Sequence, residues 1–328
     1  MLVVDTERGI GKRIPLRERV EELAKLADAD KTKELKKTVC RKFIDFCNSE
    51  VGSEIVGRDE LHSGDLVCLF IAYCEREGGR EGKGCLPSTI KTYTSILRGL
   101  LEEEGYPVKR GHKGIRDLLR AVSKTGAAPQ GKTPLTTPSI RALCRATEES
   151  AHGLQERAII LLAYGSACRT SEIVSLNVED LSFVEEGVTL FLRRSKTDQE
   201  GEGCRRDVVR GDNPRFCPVI TLKRHLEETG RKTGPLFKSP CKGDLFKESR
   251  ISNRYYPRVL QRLAEKAKVE GDIAGHSTRS GHVTQAIKAG VDHMVIAVQT
   301  AHKDFNSLKR YVRMQSEFKR NSSASLGL

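Results

Sequence analysis

Tryptophan is absent from the 328 residues, methionine occurs three times, and aromatic residues make up only 5% of the chain. A chain so poor in rings has little with which to build platforms for stacked bases, so recognition of unpaired nucleotides by stacking is not its obvious mode. No apolar run approaches the roughly 18 residues that a membrane-crossing helix needs. The opening stretch, Met1 to Ile14, mixes charges with its apolar residues and lacks the apolar core of a secretion signal. None of the ten cysteines forms a Cys-x-x-Cys pair. Cys40, Cys47, Cys68 and Cys74 stand in apolar helical stretches, where a reduced cysteine is a small core residue. The expectation is a reduced, intracellular chain with no zinc site. There is also no carboxylate cluster to hold another metal.

What the sequence has in excess is positive charge. Lysine and arginine number 57 against 44 acidic residues, a net charge of +13. That balance favours a polyanionic partner, most simply nucleic acid held through its phosphates. A hydrophobic fraction of 38% still leaves enough apolar side chains for two cores in a chain of this length.

Along the first part, helical patterns dominate. Leu16–Ala27 reads as a short helix. Thr32–Cys47 is stronger, with Leu35, Val39, Phe43 and Phe46 on one stripe. Ser63-Gly64-Asp65 offers a cap for a helix over Leu66–Glu75. Pro87 suits a first helical turn, followed by Ser88–Glu104 and a stop at Gly105. Ile115–Lys124 is one more helix. Short connections make this a helical bundle over residues 1–125. A Gly/Pro-bearing linker covers 126–136 and a second domain covers 137–328.

The second domain opens with helices over Ser139–Glu149, Leu154–Tyr164 and Arg169–Leu176. The period then changes to that of strands at Gly187–Leu192, Arg205–Val209 and, as a third candidate, Arg215–Val219. Beyond this small sheet the pattern is helical throughout: Ile220–Glu228, Arg250–Ala267, Ser277–Ala289, Asp292–Val298 and Asp304–Phe318. The fold class is therefore mainly α, with a helical bundle followed by an α+β domain holding a small antiparallel sheet.

Four stretches carry candidate chemistry. Arg169 and Glu172 lie three apart between apolar helices. Lys196 sits in the polar turn joining the first two strands. His276 and Arg279 share one helix face in Gly275-His276-Ser277-Thr278-Arg279. His302 and Tyr311 are nine residues apart. Singly, each has an ordinary explanation: an Arg–Glu ion pair, a solvated lysine, a histidine at a helix start, a tyrosine on the rim of a core. Jointly they suit a phosphodiester. Two arginines can clamp its non-bridging oxygens, and a lysine on a hairpin can protonate a leaving oxygen. Histidines can hydrogen-bond or move protons, and a tyrosine can attack.

This ordered set resembles the tyrosine recombinase, or phage integrase, family. That family's pattern is Arg-x-x-Glu, a hairpin Lys, His-x-x-Arg, a His or Trp, then Tyr nine residues later. Here the pattern falls on Arg169 to Glu172, Lys196, His276 to Arg279, His302 and Tyr311, and Ser280-Gly281-His282 is similar to the Cre-like branch. The resemblance implies a SAM-like core-binding domain and a catalytic domain that together form a C-shaped clamp on double-stranded DNA. It implies Tyr311 as the nucleophile that forms a 3′-phosphotyrosyl link, and Arg169, Arg279 and His302 as phosphate ligands. Lys196 would be the acid for the 5′ oxygen, His276 a proton-transfer partner and Glu172 a support. It further implies a homo-tetramer working through a Holliday junction, with no metal and no ATP, in the nucleoid or, in a eukaryotic host, the nucleus. Type IB topoisomerases and telomere resolvases use the same residue types, and a catalytically silent DNA-binding protein is the reading from another class.

Overall fold

Phe43, Phe46 and Phe70 meet at the centre of the first unit, with ring centroids 5.6 Å apart for Phe43–Phe70 and 5.9 Å for Phe46–Phe70, both edge-on. Edge-to-face contact is the arrangement that aromatic quadrupoles favour. In this computed structural model residues 30–49, 62–79, 83–125, 131–193 and 203–301 are described. The chain divides into two units, Met1–Pro129 and Gln130–Leu328. Within the first, α1 (Asp30–Cys47), α2 (Ser63–Arg76), α3 (Pro87–Glu103) and α4 (Lys113–Thr125) surround a core that also holds Val39, Val67, Ile90 and Leu97. The expected stripe of α1 is the face that is buried. The expected cap of α2 is not formed. The helix already begins at Ser63, whose hydroxyl donates to the Pro107 carbonyl at 2.9 Å and so ties α2 to the loop after α3. Pro87 occupies the first turn of α3, and Gly105, at φ +84°, lies just past its end. The Leu16–Ala27 helix lies outside the described residues.

In the second unit, α5 (Thr137–Ala146) is shorter than its pattern suggests. Thr147 is extended, its hydroxyl donates to the Cys144 carbonyl and accepts from the buried Arg157 guanidinium, and the chain turns there instead of continuing to Glu149. Ser150 then caps α6 (Ala151–Ser166) by accepting from the Gly153 amide at 3.1 Å. α6 is buried on nearly every side and forms the spine of the unit. α7 (Thr170–Ser175) and a 3₁₀ turn, Val178–Asp180, follow.

The sheet is antiparallel in the order β1 (Leu181–Phe183), β2 (Gly187–Leu192), β3 (Cys204–Val209). Two sequence expectations need correction. Arg215–Val219 is not a strand. Pro218 opens α8 (Pro218–Thr229), and the third strand is Leu181–Phe183 instead. The stretch after the sheet is not wholly helical either. β4 (Lys238–Pro240) and β5 (Phe246–Arg250) form a second antiparallel pair, so α9 starts at Tyr255 and not at Arg250. The unit continues with α9 (Tyr255–Lys266), α10 (Ser277–Lys288) and α11 (His293–Thr300). The expected Asp304–Phe318 helix lies outside the described residues. The architecture is mainly helical with small antiparallel sheets. No described helix is long and apolar enough to cross a membrane, and all ten cysteines are free thiols.

Candidate active site

α6 ends on Ala167, a non-glycine residue in the left-handed region at φ 52°. That turn delivers Arg169, in extended backbone, to the start of α7. Glu172, one turn on, closes a ring with it. One carboxylate oxygen accepts the Arg169 amide at 2.7 Å and the other accepts its guanidinium Nη1, also at 2.7 Å. Glu172 is 3% exposed and Arg169 is 22% exposed, so the carboxylate backs the arginine from the protein side. The far end of α7 is held by Arg250 of β5, whose Nη1 donates to the carbonyls of Val174 and Leu176 at 2.7 Å each. Burial pushes the neighbouring Cys168 thiol up to about 12, so no thiolate competes there at neutral pH.

The second half of the site is pressed directly against the first. A Cβ on Gly275 would lie 2.2 Å from the Thr170 hydroxyl oxygen and 3.1 Å from Pro257 Cγ. Only glycine permits that approach, and it sets His276 beside the start of α7. α10 is located by a similar contact. The Leu135 amide donates to the Ser277 carbonyl at 2.9 Å, and a Cβ on Gly281 would fall 1.8 Å from the Leu135 carbonyl oxygen.

Arg279 is 2% exposed and is one of the largest fully buried side chains. Its Nη1 donates to the carbonyl of Ala167 at 2.7 Å, and its Nη2 donates to the carbonyl of Thr300, the last residue of α11. The guanidinium therefore joins the C-terminal ends of two helices, where the partial negative charge of the helix dipole stabilises a cation. Burial first, and then the Arg169 charge, lowers its pKa to about 10. It stays protonated at neutral pH. His276 is at the surface. Loss of water on its protein-facing side, followed by Arg279 and Arg169, holds its pKa below the ordinary 6.5. It is a neutral imidazole at pH 7.

Arg169 and Glu172 are thus brought together with His276 and Arg279, a pair more than a hundred residues further along the chain. Lys196, His302 and Tyr311 lie outside the described residues. Their flanks are defined. The Leu192–Cys204 pair closes the described hairpin around the segment that contains Lys196, and Arg193 donates to the buried Asp180 at 2.7 Å. Ala301, immediately before His302, caps α11 in the left-handed region at φ 47°.

A pair of converging arginines with a neutral histidine is suited to a phosphodiester anion. Residues 134–317, more than half of the chain, match the phage integrase family. The chain belongs to that family. Phage integrases and their kin are enzymes that cleave and rejoin DNA strands. One relative, an integrase/recombinase xerD homolog of Selenomonas ruminantium, is 29% identical over 219 residues, covering 66% of this chain and 64% of the relative. The chain thus spans just under two thirds of that relative's length. Among solved structures, the XerH site-specific recombinase bound to palindromic difH substrate in a post-cleavage complex aligns with a TM-score of 0.64 at 15% identity. That alignment covers 94% of this chain and 84% of XerH. A lambda integrase tetramer bound to a Holliday junction aligns at 0.58 with 17% identity, covering 88% and 76%. At these identities the likeness establishes a common fold.

Two residues hold the site together without having been singled out in the sequence, and a third, Arg206, is buried close enough to act on the Arg279 charge. Gly275 was visible as part of the motif, but the steric need for it comes from Thr170. Arg250 was placed in a helix, which hid its role at the end of α7. Arg206 was readable in principle. In the strand Cys204–Val209 it alternates in phase with Val208, which marks it as inward-facing.

Proposed function

We propose that this chain is a site-specific DNA recombinase that cuts and rejoins strands through a covalent 3′-phosphotyrosyl intermediate. The observation that carries the reading is the convergence of Arg169–Glu172 with His276–Arg279 in a member of the phage integrase family. The Tyr311 phenol oxygen attacks the scissile phosphorus and the P–O5′ bond breaks. His276, neutral at pH 7, assists removal of the phenol proton. Lys196 donates a proton to the leaving 5′ oxygen. Arg169, Arg279 and His302 hold the non-bridging oxygens as charge builds on them. Glu172 fixes Arg169. The bond energy is kept in the tyrosyl ester, so a 5′-hydroxyl of a second strand reverses the step without ATP. The cationic work falls to arginine and lysine, and no metal is assigned.

The partner is double-stranded DNA, and both the helical bundle over 1–125 and the catalytic domain over 137–328 bind it. The working assembly is a homo-tetramer passing through a Holliday junction inside the cell. An exposed apolar stripe on and before α11, Val291, Met294, Val295 and Val298, supports contact between subunits. A net charge of +13 supports binding through phosphates. Affinity then falls steeply with salt, by ~10³-fold or more between 50 and 200 mM for about six or more phosphate contacts.

The test is covalent trapping on a nicked duplex that carries the repeat selected by the protein from a random-sequence pool. Wild type forms a protein–DNA adduct and Tyr311→Phe does not. An adduct that survives in Tyr311→Phe removes Tyr311 as nucleophile, and no adduct from wild type removes the recombinase reading.

A further inference from the structure

Arg206 lies on β3, paired with Leu190 of β2, and only 7% of it is exposed. Its strand face is the inward one. The next residue on that face, Val208, approaches the last turn of α6 so closely that a Cβ on Gly165 would lie 2.9 Å from its Cγ1. The following residue, Asp207, is held to α11, since Gln299 Nε2 donates to its carbonyl at 3.0 Å. Arg206 is therefore anchored between the end of α6, which supplies the Ala167 carbonyl, and the end of α11, which supplies the Thr300 carbonyl. Those are the two groups that bind Arg279.

Its guanidinium is poorly satisfied. Nη1 donates to the Arg205 carbonyl at 2.9 Å, while Nε and Nη2 are buried with no hydrogen-bond partner among the described residues. No ion pair joins it to a carboxylate among the described residues. Glu172 is engaged by Arg169, and the neighbouring Asp207 accepts from the Thr189 hydroxyl at 2.6 Å on the exposed side of the sheet. The Arg206 charge also reaches the site, where it helps to lower the pKa of Arg279 and of Cys168. A buried cation without a counter-ion is costly, and an unsatisfied buried group in a native fold calls for a specific reason, a bound anion among them.

We propose that Arg206 is a third arginine of the phosphate site, a positioning residue whose buried, uncompensated charge is completed by the scissile phosphodiester seated at Arg169 and Arg279. The inference rests on the recombinase reading and adds a residue to it. Arg206 acts through the field at the phosphate and through the placement of Arg279. Its contribution is largest when negative charge accumulates on the non-bridging oxygens.

The experiment uses the full chain and the nicked duplex described above, in two forms. One has an ordinary phosphate at the scissile position and the other a neutral methylphosphonate. Arg206→Met keeps an unbranched, apolar stem and removes the guanidinium with its charge, while Arg206→Lys keeps the charge. On phosphate DNA, Arg206→Met forms adduct about 10-fold or more slowly than wild type in single turnover, and Arg206→Lys recovers a large part of the rate. The DNA affinity of both stays within about 3-fold of wild type, because one charge among many phosphate contacts is removed. On methylphosphonate DNA the gap between Arg206→Met and wild type closes. The melting temperature of Arg206→Met is equal to or above that of wild type, since an unpaired buried charge has gone.

An equal loss on both DNA forms, or melting temperatures well below wild type in both variants, assigns Arg206 to the fold and overturns the proposal. A wild-type rate for Arg206→Met overturns it as well. Adduct formation by wild type alongside any of these outcomes leaves the recombinase reading standing. No adduct from wild type on either DNA removes both.

Discussion

Gly275 and Thr170 touch so closely that a side chain on the first would place its Cβ 2.2 Å from the hydroxyl oxygen of the second. This contact joins the two halves of the site, because Thr170 follows Arg169 and Gly275 precedes His276.

Gly275→Ala should therefore push α7 and the start of α10 apart. The expected cost is about 1–3 kcal/mol of stability, as for other overpacked positions. The loss of adduct formation should be larger, ~10²-fold, since displacements near 1 Å suffice for that. Truncating Thr170 to Ala removes the offending oxygen and leaves a Cβ 3.4 Å away. The double variant Gly275→Ala/Thr170→Ala should recover most of the lost stability and rate. Strictly additive effects in that cycle would show that the contact does not transmit the damage.

Glu172→Ala removes the partner of both the Arg169 amide and its guanidinium. Loss of one member of a buried pair costs ~3–5 kcal/mol. Here about 2–3 kcal/mol is expected, because water reaches the 22% of Arg169 that is exposed and screens part of the pair. Glu172→Gln keeps one acceptor and should fall midway. Urea unfolding measures both, and equal stabilities for all three proteins would contradict the geometry.

His225 predicts an acid limit to the fold that is independent of the site. It is fully buried, stacked on Phe237 at 5.8 Å between ring centroids, and 3.3 Å from Arg231 Nη1. Burial, then the Arg231 charge, lowers its pKa to about 4. The unfolded chain takes up this proton as pH falls through 6.5, whereas the folded chain does not until about 4. Stability is then complete above 6.5 and declines through that window, by roughly 3 kcal/mol in all. His225→Gln should flatten the decline between pH 6.5 and 4.5 in urea melts. Parallel losses in the two proteins would assign the acid sensitivity elsewhere.

The contrast between legible and hidden features follows from the range over which each acts. Helices with a broad apolar stripe, such as α1 with Val39, Phe43 and Phe46, announce themselves through local periodicity. Arg169, Glu172, His276 and Arg279, which the fold brings together, also stand out in the sequence by residue type and spacing. Short strands were not. Lys238–Pro240 and Phe246–Arg250 have no clean alternation, and they exist because they pair with each other and because Arg250 reaches back to the end of α7. Likewise, Arg215–Val219 has a strand-like composition, yet Pro218 is used to open a helix and the Cys217 sulfur accepts from Ile220 at its start. Nothing local reveals that the guanidinium of Arg279 lies between the ends of α6 and α11, since both partners are backbone carbonyls far away in sequence.

The same long-range placement governs the protonation of His276. Partial burial, Arg279 and Arg169 all favour its neutral form. In the free protein its ring should titrate below 6.5 by NMR, and Arg279→Met should move the midpoint part of the way back, because burial is the larger cause and remains. A phosphate bound between the arginines offsets their charge and raises the imidazole pKa. DNA binding near pH 6 should therefore take up a fraction of a proton, visible as a binding enthalpy that varies with the ionisation enthalpy of the buffer. His276→Gln should abolish that uptake while leaving the affinity at pH 8 nearly unchanged, where the histidine is neutral both free and bound. Proton uptake that persists in His276→Gln would place the titrating group elsewhere.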